Sequence, residues 1–249
     1  MLSDDQLEEF ARDGIVRVPE AFGAEDAARM RAGLWRELGE LHGIRPDDRR
    51  TWEPHRPTRL KASKKGPAAD AILGPVLRGV LDQLLGSWVE PSHQGQVLVT
   101  MPTGDEWAVP HRQWHTDVGY DELPRDELVG VKVWALLGDL AAGGGGTPQI
   151  AGSHRVLARY LDRTDERDFS TVRDQVLASH EWFRQLTSEN RSEDWVAEGD
   201  VDGIPVRVVE LTGNAGDVYL THPWVLHSIA PNARQAPRMM RSRMMWRQS

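Results

Sequence analysis

Cysteine is absent from the 249 residues. That excludes disulfide scaffolds, thiolate zinc sites, iron–sulfur clusters and cysteine nucleophiles, so a bound metal would have to be held by nitrogen and oxygen. No apolar run approaches the ~20 residues that cross a bilayer. The acidic start, MLSDDQLEEF, has neither the basic nor the apolar region of a signal peptide. The expectation is a cytoplasmic protein without a membrane partner. Lysine is scarce, four against 26 arginines, which reads as codon bias and not as chemistry. A net charge of −8 argues against nucleic acid as a partner. One segment runs the other way: residues 45–65 gather eight Arg/Lys. It reads either as a solvated loop or as a dock for an anionic partner.

Ser3 and Gln6 form a capping box, and Leu7, Phe10 and Ala11 make a helical stripe that Gly14 ends. A short strand follows over Ile15–Val18. A second helix starts after Gly23 with Ala27, Met30, Leu34, Leu38 and Leu41 on one face, and a third is expected over Pro75–Leu85. Residues 43–69 read as a polar loop. Short strand-like segments then dominate: Gln96–Met101, Leu128–Leu137, Ile204–Leu211, Asp217–Thr221, Val225–Ile229 and Arg238–Arg247. Residues 153–202 interrupt them with charged, mostly helical composition. The simplest organisation is one domain over 1–249. Residues 1–90 give helical support, 91–152 and 203–249 the strands, and 153–202 a helical insertion that can act as a lid.

Trp114-His115-Thr116-Asp117 is the most informative local stretch. On a strand, side chains two apart share a face, so His115 and Asp117 would aim an imidazole and a carboxylate at one point. Alone, such a pair is common. Downstream, His222 and His227 close adjacent strand-like segments, and either supplies a third donor. Two histidines and one carboxylate with the other positions open is the facial arrangement of non-haem Fe(II) oxygenases. Alternation over the last strand puts Arg238, Met240, Ser242, Met244 and Trp246 on the more apolar face, expected to point inward. A guanidinium there needs an anion, either a protein carboxylate or a ligand.

Together these segments resemble the phytanoyl-CoA dioxygenase family of Fe(II)/2-oxoglutarate-dependent oxygenases. The resemblance takes in Asp13-Gly14-Ile15-Val16, the Trp-His-x-Asp stretch, Trp134, Gly146-Thr147-Pro148, Gly152-Ser153-His154, and the run from Leu226-His227 to Pro237-Arg238. It implies a mainly β protein with flanking helices around a double-stranded β-helix, the cupin-like jelly roll. By the family's spacing to the arginine, His227 and not His222 becomes the ligand. His115, Asp117 and His227 are then the catalytic metal ligands for Fe(II), and Arg238 takes the far carboxylate of 2-oxoglutarate. Trp134, Thr147, Gln96 and Thr100 are expected around the cosubstrate. Two positions depart from the family: Thr100-Met101-Pro102 stands where a lysine is frequent, and Ile229 where a serine is.

The implied reaction uses O2 and 2-oxoglutarate to oxidise a C–H bond of a small molecule, releasing succinate and CO2. Asp117 fills the position that related halogenases leave for chloride, so hydroxylation, desaturation or ring closure is expected and halogenation is not. The substrate is less legible. Acidic residues after the metal stretch (Asp121, Glu122) and in the insertion (Asp162, Glu193, Asp194) would favour a polar or cationic molecule; the basic 45–65 segment would favour a CoA- or carrier-linked one. Both read equally as solvated surface. His111, Arg112, Tyr120 and Trp224 are candidate substrate contacts by nearness in sequence. The competing functions are a cupin-like isomerase or hydrolase that ignores 2-oxoglutarate, which an inward Arg238 disfavours, and a non-catalytic jelly-roll binding protein.

Overall fold

The computed structural model describes residues 1–90, 95–120, 127–191 and 198–248. In chain order the elements are α1 (Asp4–Asp13), β1 (Ile15–Val18), α2 (Ala24–His42), α3 (Pro67–Asp70), α4 (Pro75–Leu85), β2 (Trp88–Val89), β3 (Gln96–Thr100) and β4 (Gly130–Leu136). Then come β5 (Pro148–Ala151), α5 (Ser153–Leu161), α6 (Phe169–Ser179), α7 (Glu181–Thr187), β6 (Gly199–Val201), β7 (Ile204–Glu210), β8 (Val218–Thr221) and β9 (Arg238–Arg247).

Local chemistry sets the first boundaries. Ser3 and Gln6 form the reciprocal capping box of α1, and Gly14 closes it in the left-handed region at φ 72. There a side chain is excluded twice over, since a Cβ would lie 2.5 Å from His154 Nδ1. Proline at the first turn starts α4 at Pro75, as expected.

The larger antiparallel sheet has the order β1-β8-β4-β9-β2, with β3 also paired to β9; the smaller is β5-β7-β6. Apolar residues of both sheets, among them Ile15, Trp134, Ala151, Tyr219 and Met240, form one buried cluster between them. On the outer face of the larger sheet, Leu34, Leu38, Leu77 and Leu81 of α2 and α4 pack against Val131, Val133 and Leu220. The helices of 153–187 pack with Ile150, Ile204 and Val206 of the smaller sheet. Two facing antiparallel sheets with helices outside make a jelly roll. Because both faces of the larger sheet are covered, every residue of β4 is buried.

Several expectations need correction. Residues 43–69 are not only loop: they carry short helical turns over 49–51, 62–64 and 67–70. The strands β2, β5 and β6 were not picked out, and β6 closes the segment taken as mostly helical. Val225–Ile229 is no strand; it holds only isolated bridges at His227. The second face of β9 is buried too, because α2 and α4 cover Met239 and Met245. Among the described residues no helix is long and apolar enough to cross a membrane.

Candidate metal centre

His115 and His227 lie on segments distant in sequence, joined by a two-way backbone bridge. His115 N–H donates to the His227 carbonyl at 3.0 Å, and His227 N–H to the His115 carbonyl at 2.9 Å. The pair is an isolated bridge and Asp117 sits in the bend that follows, so strand alternation is not what aligns them. A tight segment turns Asp117 back instead. Gln113, in the left-handed region at φ 64, places its carbonyl 2.8 Å from His115 Nδ1. Val225 does the same for His227 Nδ1 at 3.1 Å. With Nδ1 protonated toward a carbonyl, each Nε2 keeps its lone pair for a metal.

Those Nε2 atoms face Asp117: His115 at 3.9 Å from Oδ1, His227 at 3.4 Å from Oδ2. One donor atom from each of the three lies within 4.8 Å of the others. Burial pushes the His115 imidazole below its ordinary pKa and that of His227 well below, so both are neutral, as ligation requires. Trp134 presents its ring edge-on to His227 at 5.2 Å, held by a 3.0 Å hydrogen bond from its Nε1–H to Thr221 Oγ1.

The triad opens into a cavity of about 460 Å³ that Arg238, Thr147, Trp134, Gln96 and Leu98 also line. Arg238 is buried and donates to Thr147 Oγ1 at 3.1 Å, while its Nε has no partner. Burial, with Arg56 nearby, lowers its pKa to about 10. Thr100 pairs in register with Arg238 but does not line the cavity; it is fully buried and its hydroxyl is unpartnered. Tyr120 and Trp224 are core and not lining, 6.0 Å apart edge to face, with Phe169 stacked on Tyr120. Arg112 borders a separate cavity on the far side of His115, beside Arg173 and Asp174. His111 faces Glu189 at 3.5 Å. His222 lies outside the triad, its ring 4.9 Å from that of His154. Asp121, Glu122, Glu193 and Asp194 fall outside the described residues.

Lys132 went unread. Its ammonium is buried, ion-paired to Asp117 and 4.0 Å above the Trp134 ring, and burial lowers its pKa to about 7. The signal was available: two residues before Trp134 on one strand, it must share that tryptophan's face.

A profile of the phytanoyl-CoA dioxygenase (PhyH) family matches residues 10–240. The chain belongs to that family. No curated protein shows significant sequence similarity to this PhyH member. Among solved structures it is similar to the non-haem α-ketoglutarate-dependent carbocyclase SnoK of nogalamycin biosynthesis: 19% identity, TM-score 0.60, covering 98% of this chain and 84% of that one. HygX of Streptomyces hygroscopicus, solved with nickel and 2-oxoglutarate, gives 15% identity and TM-score 0.57 over 99% and 87%. The epimerase SnoN, solved with Fe3+ and α-ketoglutarate, gives 18% and 0.54 over 98% and 82%.

Proposed function

We propose that this PhyH-family chain is a non-haem Fe(II)/2-oxoglutarate-dependent oxygenase acting on a C–H bond of a small molecule. One observation carries the reading: a two-histidine, one-carboxylate donor set shares its cavity with a buried guanidinium whose Nε lacks a protein partner. The donor set suits Fe(II). The orphaned Nε is what a ligand carboxylate would answer, so the residues present fit both groups.

When bound, iron and 2-oxoglutarate together couple reduction of O2, with release of succinate and CO2, to oxidation of the substrate. His115, Asp117 and His227 would hold the metal. Arg238, backed by Thr147, would hold the far carboxylate of 2-oxoglutarate, with Trp134, Gln96 and Leu98 walling the cavity against solvent. Asp117 occupies the carboxylate position, which favours hydroxylation, desaturation or ring closure over halogenation. We place the reaction in the cytoplasm, on a polar or carrier-linked molecule, with residues 1–249 acting as one unit. Pairing of β1 with β8, and of β2 and β3 with β9, supports that unit. The described apolar side chains of 153–202 pack with Trp114 and Tyr120, on either side of His115 and Asp117, which sets the lid we propose for this segment against the ligand stretch and not on the cavity wall.

Purified protein with Fe(II), ascorbate and O2 should slowly convert 2-oxoglutarate to succinate without substrate. Arg238→Ala should weaken 2-oxoglutarate binding by roughly a hundred- to a few-thousandfold, from the ~3–5 kcal/mol cost of breaking a buried charge pair, with a much smaller effect on metal binding. Equal losses of both, or no succinate at all, would overturn the reading.

A further inference from the structure

The basic segment closes over the same cavity. Arg56, Arg59, Lys61 and Lys64 all line it, and among the described residues none of these side chains has a carboxylate partner. The segment is not a loosely solvated loop. Glu37, buried on α2, accepts the Ala62 and Ser63 N–H groups at 2.7 Å each. The His55 carbonyl takes the Met101 N–H at 2.8 Å, and Arg241 donates to the Lys64 carbonyl at 2.9 Å. Leu60 is buried beneath, and Arg59 stands in the left-handed region at φ 65. A chain of net charge −8 has thus fixed four cations on one cavity wall. Arg56, Arg59 and Lys61 are exposed, so water screens part of their mutual repulsion, and a bound anion would relieve what remains.

The two other cations of the cavity are already committed, Lys132 to Asp117 and Arg238 to the cosubstrate. Among the described residues Asp117 is the one carboxylate lining the cavity, so with metal and 2-oxoglutarate bound Arg59, Lys61 and Lys64 keep no anionic partner, and Arg56, near Arg238, shares the cosubstrate's carboxylate at best. The described acids of 153–202 do not compensate: Asp168 caps α6 and Glu181 pairs with Arg184, and neither lines the cavity. Planar guanidiniums such as Arg56 and Arg59 match carboxylate or phosphate oxygens in pairs.

We propose, resting on the oxygenase reading above, that the substrate is an anion, a carboxylic acid or a phosphate ester, whose charged end is read by Arg56, Arg59 and Lys61. These are specificity-determining residues that set which molecule is presented to the metal.

The test uses probes of similar shape and different charge: phenyl phosphate, benzoate, benzamide and benzylamine. Each is titrated anaerobically into full-length protein loaded with Fe(II) and saturating 2-oxoglutarate, so that Arg238 is engaged, and followed by tryptophan fluorescence. Benzoate or phenyl phosphate should bind at least about tenfold more tightly than benzamide, as expected for charge-assisted hydrogen bonds. Which of the two is tighter separates a carboxylate from a phosphate ligand. The advantage should collapse in Arg56→Gln/Arg59→Gln and shrink in Lys61→Gln. A flat series, tightest binding by benzylamine, or a preference undiminished in the variants would overturn the inference. Succinate release by the unaltered protein, measured separately, decides the oxygenase reading, so the two failures are told apart.

Discussion

Acidification should cost this fold stability through a pair of histidines away from the metal. His154 and His222 are buried with ring centroids 4.9 Å apart, and burial lowers their pKa values to about 4 and about 3. In the unfolded chain both would titrate near 6.5. Between those values the unfolded state binds protons that the folded state refuses, so stability is fully present above about pH 6.5 and falls as the pH drops. From about pH 7.5 to about pH 5 each histidine should remove about 2 kcal/mol, at 1.36 kcal/mol per unit, or about 4 kcal/mol for the pair. That is a large share of the ~5–15 kcal/mol that holds a typical domain together.

His222→Asn keeps an acceptor for the Trp224 N–H, which reaches His222 Nδ1 at 3.1 Å, while removing the titration. Urea unfolding of both proteins across this range gives the comparison. His115 and His227 are also held low, but they cancel in the difference. The variant should lose about 2 kcal/mol less on acidification than the parent, whatever its starting stability. Identical slopes for the two proteins, or a parent whose stability is flat between the two pH values, would refute the argument.

Glu37→Ala should lower stability by about 2–3 kcal/mol, since two backbone donors lose a charged acceptor, and limited proteolysis should then cut within residues 53–66. An unchanged digestion pattern would count against the pinning role of Glu37. Gly14→Ala should lower Tm, combining ~1–2 kcal/mol of left-handed strain with a clash against His154; a neutral result would mean the turn relaxes freely. Lys132→Met should raise divalent metal affinity about tenfold by freeing Asp117 from a charge-assisted bond. Titration with Ni(II) reads this, and weaker binding would show that the ammonium supports the site.

The convergence of three donors was legible because side-chain chemistry survives in the linear order: His115, Asp117 and His227 were readable on donor type and family spacing. Their mechanism of alignment was not. A bridge between two irregular segments leaves no period in the sequence, so strand alternation was assumed in its place. β5 escaped because four residues with a leading proline carry too little pattern. Arg238 was found because a lone guanidinium on an apolar face is costly and therefore conspicuous. Lys132 was missed because a lysine on a strand is ordinarily read as solvent-facing; only burial of both faces of β4 makes it informative. The basic segment left two readings open, since charge alone says nothing about which way a loop folds.

The strand that carries Arg238 lies in the interior of its sheet, bonded to β4 on one side and to β2 and β3 on the other. Without β9 the main sheet would part, β4 from β2 and β3, and the cavity would lose the guanidinium proposed above to receive 2-oxoglutarate. Closing the main sheet and completing the proposed cosubstrate site are therefore one and the same folding event.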